Sequence, residues 1–179
     1  MSARGVRPEC CFVGTRIEAL KALQQYTRVV AIATVPESWV HRHCVSSGID
    51  TYLINRTAPT GTLEFLARQE VEIVFSAGCP LIFPESILKS GPRFLNSHPA
   101  LLPAYKGYSP IKEGFSKGEE FMGVTVHEMS PEVDSGPIIW QEKVRVRGLG
   151  LQEIYDLMFG VVEPMTISRA FAVLSKEQP

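Results

Sequence analysis

Apolar positions along the chain fall into short uninterrupted runs, separated by stretches in which they recur at helical spacing. Cys10, Cys11, Phe12 and Val13 form the first such run, closed by Gly14, and predict a buried strand. Over residues 15–26, Ile17, Leu20, Ala22 and Leu23 lie near helical spacing, and Thr15 precedes Glu18 as a capping box. Residues 29–33 predict a second buried strand. Pro36 opens a helical segment that runs through Ser46 and is stopped by Gly48. A short strand over 51–54, a helix over 60–69 and a strand over 71–76 continue the alternation. Strand and helix in regular succession predict the α/β class, with an open, mostly parallel sheet and helices on both faces.

The second half changes character. A short helix over 84–88 and a strand over 93–96 still fit the alternation. From Gly123 onward Val124 and Val126 alternate with Thr125 and His127, and residues 138–146 mix apolar with charged positions in the same way. Period-two alternation predicts antiparallel or edge strands near the C-terminal end of the sheet. In 151–174, Leu151, Ile154, Leu157, Met158, Val161, Val162 and Met165 keep helical spacing, so this is a closing helix, with a kink or break expected at Pro164. Residues 1–8 read as a flexible leader and 9–175 as a single domain, which suits the core that 179 residues can bury.

Composition narrows the partners. Eighteen Lys and Arg against 19 Asp and Glu give a formal charge of -1, and no basic cluster makes a footprint for nucleic acid. A small-molecule partner is favoured. The uncharged stretch between Glu72 and Glu85 is interrupted by Pro80 and Pro84 and falls short of the roughly 20 apolar residues of a membrane span, so no transmembrane helix is expected. The apolar run after Arg4 and Arg7 is too short for a signal peptide, which points to a cytoplasmic protein. Cys10, Cys11, Cys44 and Cys79 show no CxxC spacing and read as free thiols. Neither the cluster around His41, His43 and Cys44 nor the lone Gly14 supports a zinc or dinucleotide site.

Chemistry concentrates in Asn96-Ser97-His98-Pro99-Ala100-Leu101-Leu102-Pro103-Ala104-Tyr105-Lys106-Gly107. At a strand end, the two-residue period points Asn96 and His98 to one face, and the flanking prolines stiffen the segment that follows. Taken alone, the pair is equally consistent with a histidine that satisfies buried backbone. A second element, Gly123-Val124-Thr125-Val126-His127, is followed by Val133-Asp134-Ser135-Gly136-Pro137-Ile138-Ile139. Alone, Asp134 reads as a turn residue and His127 as a structural one.

In combination, and in this order and at these separations, the motifs resemble the catalytic domain of the folate-dependent formyltransferases. That family includes glycinamide ribonucleotide transformylase, methionyl-tRNA formyltransferase and the sugar N-formyltransferases. The resemblance is clear over about residues 71–146 and implies a Rossmann-like fold and 10-formyltetrahydrofolate as formyl donor. It implies catalytic roles for Asn96, His98 and Asp134. Formyl transfer to an amine passes through a tetrahedral species with an oxyanion and a nitrogen that must lose a proton. Asn96 and a protonated His98 would donate to the oxyanion, and Asp134 would keep His98 cationic. By the same resemblance Cys79, Pro80, Leu81 and Ile82 would line the folate loop, the Val133 carbonyl would meet the pterin edge, and Gly14, Thr15 and Tyr108 would face the acceptor.

Departures from the family pattern bear on that acceptor. The turn Gly14-Thr15-Arg16-Ile17 lacks the glycine- and asparagine-containing sequence that holds the phosphate of glycinamide ribonucleotide in the transformylases. The chain also ends soon after its closing helix, whereas methionyl-tRNA formyltransferases add a C-terminal domain. The expectation is formyl transfer to a primary amine of a small molecule, an amino sugar on a nucleotide by elimination. The alternatives are glycinamide ribonucleotide transformylase, formyltetrahydrofolate hydrolase and a non-catalytic folate-binding module. No nucleic-acid or membrane partner is expected, and a homodimer is compatible with this reading.

Overall fold

The β1 run Glu9–Gly14 is apolar on both sides, as a central strand of a sheet covered on two faces must be. Cys10 and Phe12 enter one core while Cys11 and Val13 enter another. A computed structural model describes residues 7–176, so the leader expected over 1–8 lies almost wholly outside the described residues. Among those residues, β2 (Arg28–Thr34), β3 (Tyr52–Leu53), β4 (Ile73–Ala77), β5 (Arg93–His98), β6 (Phe121–Glu128) and β7 (Ile138–Arg145) complete one sheet. The strand order is β3-β2-β1-β4-β5-β6-β7. The first five strands run parallel, and β5–β6 and β6–β7 pair antiparallel. The expected open, mostly parallel sheet with antiparallel strands at its C-terminal end is thus the fold observed.

Helices cover both faces. Residues of α1 (Ile17–Leu23), α2 (Trp39–Ser46) and α7 (Glu163–Leu174) pack with Phe12, Phe75 and Leu95 on one side. Leu66 of α3 (Thr60–Ala67) and residues of α4 (Glu85–Leu88) pack with Val13, Val74 and Phe94 on the other. A third core joins α5 (Pro110–Ser116) and α6 (Leu151–Leu157) to Met122 and Val124 of β6. Helix α5 was not expected, although Pro110 at its first turn is a recognised start signal.

One local expectation fails and a second takes a different form, both for identifiable reasons. The capping box at Thr15 does not form, because the Thr15 hydroxyl donates to the Gly78 carbonyl at 3.1 Å and α1 begins at Ile17 behind Arg16. The tail does not break at Pro164. It continues through a π turn, Met158–Val162, which absorbs the hydrogen bond that proline cannot donate, before α7 resumes. An 18-residue window of this 24-residue run has a mean hydropathy of 1.5, so among the described residues one helix is long and apolar enough to cross a membrane by length and composition alone. Its apolar side, including Met158, Val162, Ile167, Ala170 and Phe171, is buried against the sheet and neighbouring helices.

Candidate active site

The carboxyl ends of β1, β4 and β5 open into one cavity of about 610 Å³, beside the place where the strand order reverses. After β1 the chain turns sharply at Gly14, whose φ of +147° and approach to the Ala77 carbonyl leave no room for a side chain. The next residues lead to Arg16, on the cavity wall. After β4 the segment Gly78 to Phe83 forms an apolar wall. After β5, the Pro99–Gly107 connection carries the chain over the site.

On β5 the strand period decides what faces the cavity. Leu95 packs toward α7 and Phe94 toward the other core, so Ser97 follows Leu95, and Asn96 and His98 share the opposite, cavity-facing side. Antiparallel pairing sets Asn96 directly opposite His127 of β6. Asp134 arrives from the β6–β7 connection in a left-handed conformation, φ +50°. The three residues singled out from sequence, Asn96, His98 and Asp134, are therefore brought together from two separate stretches.

Their hydrogen bonds define the protonation pattern. His98 Nε2 lies 2.8 Å from the Tyr105 carbonyl, which can only accept, so Nε2 carries the proton. Nδ1 then faces Asp134 Oδ2 at 3.3 Å. His127 Nδ1 likewise faces a carbonyl, that of Glu128, at 2.7 Å, and its Nε2 stands between the Asn96 amide nitrogen at 3.2 Å and Asp134 Oδ1 at 3.5 Å. The second hydrogen of that amide points to Asp134 Oδ1 at 3.4 Å. Asp134 Oδ2 also accepts the Gly107 backbone N–H at 2.8 Å, which the positive φ of Gly107 directs toward it.

Burial pushes His98 below its ordinary 6.5, outweighing the Tyr105 carbonyl and the Asp134 charge that favour the cation; His127 and Arg16 push the same way as burial. Asp134 acts in the expected direction, toward the cation, but burial works against it. Desolvation outweighs the neighbouring carboxylate and lowers the affinity of the imidazole for a second proton. For Asp134, burial is the largest single influence and acts upward. The His127 hydrogen bond, the Gly107 amide and the two imidazoles together outweigh it, leaving the carboxyl below its ordinary value.

Cys79, Pro80, Leu81, Ile82 and Val133 all line the cavity, joined by Phe83 and Met129. Burial raises the Cys79 thiol to about 11, so it is an apolar lining group at neutral pH and not a nucleophile. The Val133 carbonyl accepts from the Ser135 hydroxyl at 3.0 Å and keeps a lone pair for a ligand edge. Tyr108 stands at the rim, 77% exposed, with its hydroxyl 3.5 Å from the Pro80 carbonyl. Gly14 and Thr15, expected on the acceptor side, do not line the cavity: Gly14 is buried against Ala77, and the Thr15 N–H donates to the Ala77 carbonyl at 3.1 Å. Of this turn, Arg16 is the residue that lines the cavity. The sequence alone reads His127 as structural and Arg16 only as part of the turn after β1, though the two-residue period does put His127 and Thr125 on one face of their strand.

A family model described as formyl transferase matches residues 14–153. The chain is 42% identical to methionyl-tRNA formyltransferase of Thermotoga maritima over 86 residues, which cover 47% of this chain and 27% of that protein. It is 30% identical to methionyl-tRNA formyltransferase of Staphylococcus epidermidis over 151 residues, covering 75% of this chain and 48% of the relative. The chain thus spans between about a quarter and a half of the length of these curated relatives. Its fold is similar to the crystal structure of phosphoribosylglycinamide formyltransferase from Bacillus halodurans, with a TM-score of 0.82 at 23% identity, covering 95% of this chain and 97% of that one.

Proposed function

Because this chain belongs to the formyl transferase family, we propose that it transfers a formyl group from 10-formyltetrahydrofolate to a primary amine of a small molecule. The observation that carries this reading is the convergence of Asn96, His98 and Asp134 at one end of a cavity whose other wall is apolar. A volume of about 610 Å³ suits a flat heterocycle with a reactive tail. Pro80, Leu81, Ile82 and Met129 fit the faces of such a ring, and the Val133 carbonyl fits its hydrogen-bonding edge. The donor supplies a formyl carbon activated on nitrogen; the protein supplies position and proton handling, and the proton taken from the amine is returned to the donor nitrogen as its bond to the formyl carbon breaks.

In this reading the Asn96 amide exchanges its long contact with Asp134 for the formyl oxygen as negative charge develops there. Neutral His98 accepts the amine proton at Nδ1, the nitrogen that faces Asp134, and the carboxylate stabilises the imidazolium that results. The Tyr105 carbonyl keeps Nε2 protonated, so Nδ1 is the atom presented for this transfer. His127 holds Asn96 from the side, and Gly107 holds Asp134.

For the acceptor we propose an amino sugar carried on a nucleotide. Gly14 and Thr15 use their backbone within the fold, which argues against a phosphate close to the amine, and exposed Tyr108 offers a ring at the rim for a more distant base. The test is folate deformylation by purified protein with a panel of amines and a no-amine control. Amine-dependent turnover with formylated product supports the reading. A rate indifferent to every amine replaces transfer with hydrolysis, and no turnover at all removes catalysis.

A further inference from the structure

Behind the site, a charged residue lies where an apolar one would be expected. Glu163 opens α7 immediately after the π turn and is fully buried. Its Oε1 accepts Arg16 Nη1 at 2.5 Å and the Ser97 hydroxyl at 2.5 Å, and Oε2 has no partner among the described residues. Burying a carboxylate is costly, and an orphaned oxygen adds to the cost, so such a group persists where it does something that an apolar side chain could not.

What it touches indicates what that is. Ser97 stands between Asn96 and His98 on β5, its side chain turned to the α7 side while theirs face the cavity. Its carbonyl also accepts Arg16 Nη1, at 3.3 Å. The Arg16 guanidinium lies over the Phe159 ring of the π turn, 4.4 Å from the centroid. Arg16 is the one Lys or Arg among the described residues that line the cavity. The carboxylate therefore grips the strand that carries the Asn and the His from behind, and at the same time fixes a cation on the wall beside them.

We propose that Glu163 is a positioning residue for the reaction: through Ser97 it holds the end of β5 in register, and through Arg16 it sets the electrostatic field at His98. The proposal rests on the role given above to His98 as the group that takes the amine proton. Four groups face that imidazole: Asp134 from the β6–β7 connection, His127 from β6, the Tyr105 carbonyl from the loop over the site, and Arg16 from the β1–α1 turn. Only the last is governed by Glu163. Removing the Glu163 charge leaves the Arg16 cation uncompensated and disfavours protonated His98. Removing the Arg16 cation does the opposite.

Four variants test this: Glu163→Gln, Arg16→Met, the double variant, and Ser97→Ala, which cuts the strand link without changing charge. The readouts are kcat, KM for the formyl donor, the pH profile of kcat, and an NMR titration of the labelled His98 imidazole. Glu163→Gln is expected to lower kcat about tenfold with donor KM nearly unchanged, and to move the His98 titration to lower pH. Arg16→Met should move it to higher pH, the double variant should fall between the two, and Ser97→Ala should lower kcat without a titration shift. A folded Glu163→Gln with wild-type kcat and titration overturns the proposal, as does a shift in the same direction for Glu163→Gln and Arg16→Met. Should Glu163→Gln fail to fold, Arg16→Met decides alone: an unmoved His98 titration overturns the field argument. The NMR titration needs no turnover, so a wild-type protein inactive toward every amine would count against the proposed function while leaving this test intact.

Discussion

Asn96 sits directly opposite His127 in the β5–β6 register, and its amide nitrogen lies 3.2 Å from His127 Nε2. The amide is therefore oriented by a neighbouring strand as well as by Asp134, which makes the two histidines separable by mutation. Asn96→Ala, His98→Ala and Asp134→Asn are each expected to lower kcat by about 10²–10³, with binding of an unreactive folate analogue retained, because these groups act on charge that develops during reaction. His127→Ala acts through the Asn96 amide and the Asp134 carboxylate rather than on the reacting atoms, and should cost about tenfold. Steady-state kinetics alongside a binding isotherm check this, and wild-type turnover in the His98 variant would sink the proposed mechanism.

The depressed pKa of His98 fixes the direction of a pH effect. Below its folded-state value the imidazole is protonated and cannot take the amine proton, so kcat should fall on the acid side, with a midpoint below the ordinary 6.5. Stability follows the same direction. Between the folded value and 6.5 the unfolded chain binds the extra proton, so the contribution of His98 to stability is complete above 6.5 and declines as pH falls. Asp134, also depressed, adds a second loss at still lower pH, below its ordinary 3.8. Denaturant titrations from pH 8 to pH 2 and a kcat profile from pH 8 to pH 4 measure these effects. An activity that rises as pH drops through 6 would contradict the neutral-base role.

The apolar wall predicts a ligand response that does not depend on catalysis. A reduced folate that binds only the folded state at 100 times its Kd should stabilise the protein by about 2.7 kcal/mol, visible as a rise in Tm. Ile82 lines the cavity yet is 62% exposed, so Ile82→Asp should fold normally and lose most of that rise. An equal shift in the variant would place the folate elsewhere.

How much of this was readable beforehand depended on whether the cause was local. The strands and the Asn96/His98 pairing follow from period and motif, since alternate residues on β5 must share a face. The capping box at Thr15 was misread because the hydroxyl has a better partner in Gly78, a residue distant in sequence. The lowered proton affinity of His98 is unreadable for a related reason: motif order reveals the carboxylate nearby but not the burial that outweighs it. Glu163, by contrast, left a signal. It falls in line with Thr166, Ile167, Ala170 and Leu174 on the buried stripe of α7, where a carboxylate is out of place.

The turn after β1 yields the last prediction. A phosphate held there requires several backbone N–H groups converging on one point. The Thr15 N–H is already bonded to Ala77, Gly14 is pressed against the same residue, and the Thr15 hydroxyl donates to Gly78. Arg16 could offer charge instead, but its Nη1 is engaged by Glu163 and by the Ser97 carbonyl, and a compensated cation attracts an added anion weakly. Glycinamide ribonucleotide, whose phosphate would have to sit near this turn, should therefore show a kcat/KM at least about tenfold below that of a preferred acceptor, a difference of about 1.4 kcal/mol in the transition state. Competition assays against nucleotide-linked amino sugars and charged initiator tRNA, with product formylation followed by mass spectrometry, measure the ranking. If glycinamide ribonucleotide leads it, the turn binds phosphate despite its committed amides, and the acceptor proposed here is wrong.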